Sequence, residues 1–241
     1  MKASKGILTM IAGAVAGLLA VPASATVLLD FTDINTVVSG SEWRVNNITT
    51  AQVTGGSGTV PLDAILSVRH VTGNIDTFDV DNDGDDLRVF LRRDTESAPS
   101  FGYIEFELDF VGTGGATGQA LADGFKFSAY DLDSVPVADA VATQSNYRDT
   151  VEIFGANQYT LEAGSQITAD IFALPGSGTP GVRGTAGDVQ YNAPGGGVIS
   201  DNPLGAIEAS FADQVSSFVF RAGITQIDPV LSAGAGRHGA P

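Results

Sequence analysis

Between Phe101 and Phe110 the side chains alternate with a period of two: Ile104, Phe106, Leu108 and Phe110 fall on one side, Tyr103, Glu105, Glu107 and Asp109 on the other. An extended strand with one buried face accounts for that order, because a helix would scatter both sets around its axis. The same alternation recurs in Leu87, Val89 and Leu91 against Arg88 and Arg92, and in Phe125 and Phe127 against Lys126 and Ser128. Further strands are expected at Val27 to Phe31, Ala64 to Val71, Thr150 to Phe154, Ile167 to Phe172, Ala206 to Phe211 and Ser216 to Arg221, each bounded by Gly, Asn, Asp or Pro. The 30 glycines gather between these segments, as turns between strands require. Many short strands and no convincing amphipathic helix predict an all-β fold, an antiparallel, jelly-roll-like β-sandwich. The glycine-rich stretches 55–58, 112–118, 176–187 and 195–197 read as loops.

The first 25 residues have a different character. Lys2 and Lys5 precede an apolar stretch from Gly6 to Val21, and Ala23-Ser24-Ala25 forms a small-residue cleavage site. The stretch is shorter than the roughly 20 residues a spanning helix needs, and Pro22 breaks it, so a cleaved signal peptide is expected rather than an anchor. Residues 26–230 then form one sandwich domain and 231–241 a polar, glycine-rich tail. The expected destination is extracellular or the cell surface, with the periplasm as an alternative. No later stretch is apolar enough to span a membrane. Removing the signal leaves 28 acidic against 10 basic side chains, a net charge of −18 that disfavours nucleic acid and favours divalent cations. With no cysteine the fold has no disulfide, so apolar burial, with bound metal as a further aid, has to hold it.

The sharpest local pattern is Asp79-Val80-Asp81-Asn82-Asp83-Gly84-Asp85-Asp86. Carboxylates at every second position converge on a hard cation at a turn, and calcium takes six to eight oxygens. The opening matches a D-x-D-x-D-G calcium loop, but Phe90 stands where a bidentate acid belongs, so a calcium-binding turn between strands is the reading. Asp79, Asp81 and Asp83 are the expected ligands, with Asp85 or Asp86 closing the shell; the alternative is a solvated acidic turn. A weaker acidic group joins Asp131 and Asp133, which Asp149 can approach from the next strand.

For catalysis, Glu105, Glu107 and Asp109 share one strand face, and retaining glycosidases place two carboxylates about 5 Å apart. The segment resembles the E-x-D-x-E strand of family sixteen jelly-roll glycoside hydrolases, with the acids in a different order. A solvent-facing strand surface is the favoured alternative. The mature chain has two histidines, His70 and His238, and lacks a G-x-S-x-G elbow, a phosphate loop and a zinc pattern, so no catalytic residues and no organic cofactor are assigned. Trp43, Tyr103 and Tyr130 are the aromatic platforms a carbohydrate-binding module would use.

Four stretches stand out together: the Ala-x-Ala signal, Gly124-Phe125-Lys126-Phe127-Ser128-Ala129-Tyr130-Asp131-Leu132-Asp133, Asp149-Thr150-Val151-Glu152-Ile153-Phe154-Gly155, and Ile207-Glu208-Ala209-Ser210-Phe211 with Val215-Ser216-Ser217-Phe218-Val219-Phe220. Taken together they resemble the exosortase-sorted, PEP-CTERM type β-sandwich proteins of Gram-negative bacteria. The resemblance implies a surface or biofilm-matrix protein with no transferable catalytic residues, whose partners are extracellular polysaccharide or other matrix components. Members carry a Pro-Glu-Pro type motif, an apolar helix and terminal arginines; this chain reads Arg237-His238-Gly239-Ala240-Pro241 instead, which fits a truncated or sorting-free relative.

Overall fold

The computed structural model describes residues 29–34, 36–39, 41–73, 75–83, 86–93, 101–122, 124–129, 132, 134–135, 147–187, 203–212, 214–226 and 237–240. The signal segment, Asp85, Tyr130, Asp131 and Asp133 lie outside them, as do the side chains of Asp81, Asp83, Asp86 and His238.

The described chain is nearly all β. In order the strands are β1 (Thr36–Ser39), β2 (Glu42–Gln52), β3 (Thr59–Thr72), β4 (Ile75–Asp83), β5 (Asp86–Arg93), β6 (Phe101–Gly112), β7 (Lys126–Ala129), β8 (Ser134–Val135), β9 (Tyr147–Phe154), β10 (Gln158–Leu161), β11 (Thr168–Ala173), β12 (Pro180–Thr185), β13 (Ile207–Ser210), β14 (Ser217–Gln226) and β15 (Arg237–Ala240). A short 3-10 turn at Pro203–Gly205 precedes β13. The large sheet runs β1-β2-β3-β6-β14-β9-β12-β11, with β8 adding to β9 at Tyr147 and Arg148. Two three-stranded sheets, β10-β13-β7 and β15-β5-β4, form the other layer, and every pairing is antiparallel.

The alternation legible in β6 sets the sidedness of the large sheet. Ile104, Phe106, Leu108 and Phe110 are fully buried, and the first three pair with Ala222, Phe220 and Phe218 of β14. Ala64 and Leu66 of β3 and Ile153 and Val182 of β9 and β12 extend that inner face. Both smaller sheets close over it. Phe127 of β7 lies 5.0 Å from Phe218 and 5.2 Å from Phe220, and Phe78 of β4 meets Phe106 edge-on at 6.5 Å. Next to β7, Phe125 stacks on Phe211 at 4.4 Å. Each such buried ring stabilises the fold by about 1.5–3 kcal/mol, which a chain without disulfides needs.

Four segments depart from the sequence expectation. Residues 180–185, read as part of a glycine-rich loop, form β12 between β9 and β11. Its glycines give room rather than flexibility: a Cβ on Gly181 would strike the Phe172 ring at 2.6 Å, and one on Gly184 would crowd Ile207 of the opposite layer at 3.1 Å. Residues 79–83, read as a turn, continue β4, because Phe78 and Val80 pack against the core and carry the alternation through the acidic run. Residues 237–240, assigned to the tail, form β15 on β5. The strand expected at Val27 to Phe31 is not formed over its described part, Leu29 to Phe31.

Candidate functional site

The outward face of the large sheet collects the charged residues of five neighbouring strands into one row. Alternation turns residues 103, 105 and 107 of β6 outward, and the register aligns Glu105 with Arg221 of β14, Arg221 with Glu152 of β9, Glu152 with Arg183 of β12, and Arg183 with Asp170 of β11. Signs alternate along the row. Arg221 reaches Glu105 at 2.8 Å on one side and Glu152 at 2.9 Å on the other. Arg183 meets Glu152 at 2.8 Å and Asp170 at 3.8 Å. Glu152, at the centre, has a side chain only 7% exposed and is bonded on each carboxylate oxygen by a different guanidinium.

Aromatic rings flank the cations. The Arg221 guanidinium lies 4.3 Å from the Tyr103 ring centre and 4.7 Å from that of Phe154, and Arg183 lies 4.8 Å from Phe172. Phe154 and Phe172 themselves meet edge-on at 5.5 Å. Burial opposes the charge of Arg221, but hydrogen bonds to Glu105 and Glu152 and the charges of Tyr103 and Glu105 overcome it, so its pKa lies above the ordinary value. Farther along β6, burial pushes the Asp109 carboxyl above its usual range, against the opposing influence of Arg69 and a hydrogen bond from Ser217.

The two carboxylates considered for glycosidase chemistry are therefore both occupied by cations. Glu105 is held by Arg221, and Glu107 is paired with Arg69 at 2.7 Å in a more exposed bridge. They lie on the outward face of a sheet, with Val219 and Arg221 of β14 beside them.

A second buried carboxylate stands toward the β2 side of the same face. Asp63, 1% exposed, accepts hydrogen bonds from Arg44 Nε and Nη2 and from the backbone N–H groups of Asn47 and Gly114, at 2.9 to 3.1 Å. Arg44 also donates to the Gly115 carbonyl at 2.6 Å. Burial raises the Asp63 pKa, and the donors together outweigh it and hold the group below the usual carboxylate range. Asn47 lies in the β2 bulge between Val45 and Thr49 with φ of 51°, a left-handed conformation that asparagine tolerates better than most residues. Asp63 thus ties the bulge to the loop after β6.

At the acidic hairpin, residues 79, 81 and 83 occupy alternate positions of β4, and Asp83 is the register partner of Asp86 in β5. Asp79 is exposed. The structure therefore spreads these positions along a strand: at about 3.3 Å per residue, positions 79 and 83 stand about 13 Å apart, too far to share one cation, and only 81 and 83, with 86 opposite, approach the hairpin end. Of the weaker acidic group, Asp149 is buried within β9. Among the platform residues, Trp43 turns inward and packs against the core, which removes it as a platform, while Tyr103 is outward beneath Arg221. Arg221, Glu152, Arg183, Asp170, Asp63 and Arg44 were not singled out by sequence. The available signal was one charge at an outward position of each strand, which means little until the strand order is known.

A comparison of the chain with protein-family models, with curated proteins and with solved structures finds no match.

Proposed function

We propose that this chain is an exported, non-enzymatic β-sandwich with a structural or adhesive role in the extracellular matrix or at the cell surface. The observation that carries the reading is the state of the outward carboxylates: Glu105, Glu107 and Glu152 are each engaged by arginine, and a carboxylate held in that way is neither a ready proton donor nor a ready nucleophile. The signal-like segment Met1 to Ala25 and the acidic composition support export. The test combines two measurements on the producing cell. The protein recovered from the medium or the surface should begin at Thr26, and the purified mature protein should release no reducing ends from a panel of polysaccharides. Retention in the cytoplasm with Met1 intact would overturn export, and hydrolysis that Glu105→Gln abolishes would overturn the non-enzymatic reading.

Calcium at the β4–β5 hairpin belongs to the same proposal, with Asp81, Asp83, Asp85 and Asp86 as ligands; Asp79, opposite Phe90 and four residues along the extended strand from Asp83, is dropped from the expected set. Support comes from the antiparallel register, which brings Asp83 opposite Asp86 at the end of the strand pair. Calcium at a hundredfold excess over its Kd should raise stability by about 2.7 kcal/mol, and Asp81→Asn with Asp83→Asn should remove the gain. A melting temperature indifferent to calcium and to chelator would exclude the ion.

A further inference from the structure

We infer that Phe101, with Tyr103, His70, Thr72 and Thr225 around it, forms a surface binding site for a neutral polysaccharide chain; this rests on the adhesive reading above and names its ligand class. Phe101 begins β6 on the outward face, where it is 40% exposed. Its ring rests over a glycine of the next strand: a Cβ on Gly223 would come within 2.9 Å of Cε2 and 3.2 Å of Cζ. The backbone of β14 is thereby the floor, and the ring remains accessible to solvent. Tyr103 follows at 5.4 Å between ring centres, tilted by 40°, and His70 stands 6.1 Å beyond Tyr103.

The surroundings select the ligand. Thr225 is the register partner of Phe101, and Thr72 that of Tyr103, so hydroxyl and imidazole groups flank the rings on both neighbouring strands. Such groups donate to and accept from sugar hydroxyls, while the exposed ring offers a face for the C–H side of a pyranose. The adjacent ions are spent on one another, since Arg221 is shared between Glu105 and Glu152. With a net charge of −16 over the whole chain, polyanionic glycans are repelled. An exposed ring on a sheet face, with half-buried polar neighbours, suits a polymer laid across it, whereas a small ligand needs enclosure to be held.

The experiment is affinity electrophoresis of the mature protein through gels containing xyloglucan, mixed-linkage β-glucan or xylan, with alginate as the anionic comparison. Phe101→Leu keeps apolar cover over Gly223 and removes the stacking face, and Phe101→Trp keeps both. Retardation by at least one neutral polymer and not by alginate, weakened about tenfold by Phe101→Leu and retained by Phe101→Trp, is the expected result. Circular dichroism and melting of the variants establish that both stay folded. Absence of retardation by every neutral polymer while the protein still adheres to its own cells would overturn this inference and leave the adhesive role standing. Failure to adhere as well would remove that role too. A dimer that Phe101→Leu dissociates would assign the ring to self-association and overturn the site.

Discussion

A single buried carboxylate shows how much one residue organises. Asp63 connects a strand bulge, an arginine and a loop through four donors; without the carboxylate, Arg44 Nε and the Asn47 and Gly114 N–H groups lose this acceptor and Arg44 Nη2 keeps only the Gly115 carbonyl. Asp63→Asn keeps the shape but removes the charge that Arg44 faces and turns one acceptor into a donor. Breaking a buried pair by neutralising one partner costs about 3 kcal/mol, equivalent to a drop of roughly 10 °C in Tm for a domain of this size. The pH dependence has a definite sign. The folded-state pKa of Asp63 is depressed, so its stabilisation is complete above the ordinary aspartate value of about 3.9 and is lost as the pH falls through the folded value. Melting curves of the wild type and Asp63→Asn should therefore stand furthest apart near neutrality and converge in acid. A gap that is constant with pH would show that Asp63 acts through shape alone.

At the scale of strands, the outward row is a coupled unit and should respond as one. Arg221→Met leaves Glu152 with Arg183 alone and Glu105 without its guanidinium, at a cost of roughly 2–3 kcal/mol in urea unfolding. Adding Glu105→Gln and Glu152→Gln to that variant should restore at least half of the loss, because the uncompensated carboxylates go with it; strictly additive losses would contradict the coupling. Strands expected from the sequence were found: β3, β5, β6, β7, β9, β11, β13 and β14 all overlap their expected segments. Three that were not expected have a physical reason for their silence. In β2 the bulge separates the buried Val45 and Ile48 by three positions and so breaks the period of two. In β12 the inward and outward positions include glycine, and an absent side chain leaves no pattern. In β4 the Asp-Asn-Asp-Gly chemistry of a turn masks the apolar alternation of Phe78 and Val80. The outward row was illegible for a different cause, since Glu105 and Arg221 are 116 positions apart and only the strand order unites them.

For the molecule as a whole, stability is concentrated in a cluster of phenylalanines between the layers. Phe218 contacts Phe110, Phe125, Phe127, Phe211 and Phe220 at ring separations of 5.0 to 6.5 Å. Phe218→Ala should cost about 3–5 kcal/mol, read as a lowered urea midpoint at unchanged slope, and with no disulfide to limit the loss it approaches the full stability of an ordinary domain. A cost below 1 kcal/mol would place the centre of the core elsewhere. Apolar alternation has a blind spot at this scale, however: sliding a strand by two residues leaves every greasy side chain facing the same way. The charged row closes that gap. If β9 slid by two against β14, Arg221 would stand opposite Thr150 or Phe154 instead of Glu152, and a chain searching for its partners would meet buried charge without an answer. The row thus works as a parity check on assembly, rejecting near-miss pairings that oil and water alone would accept.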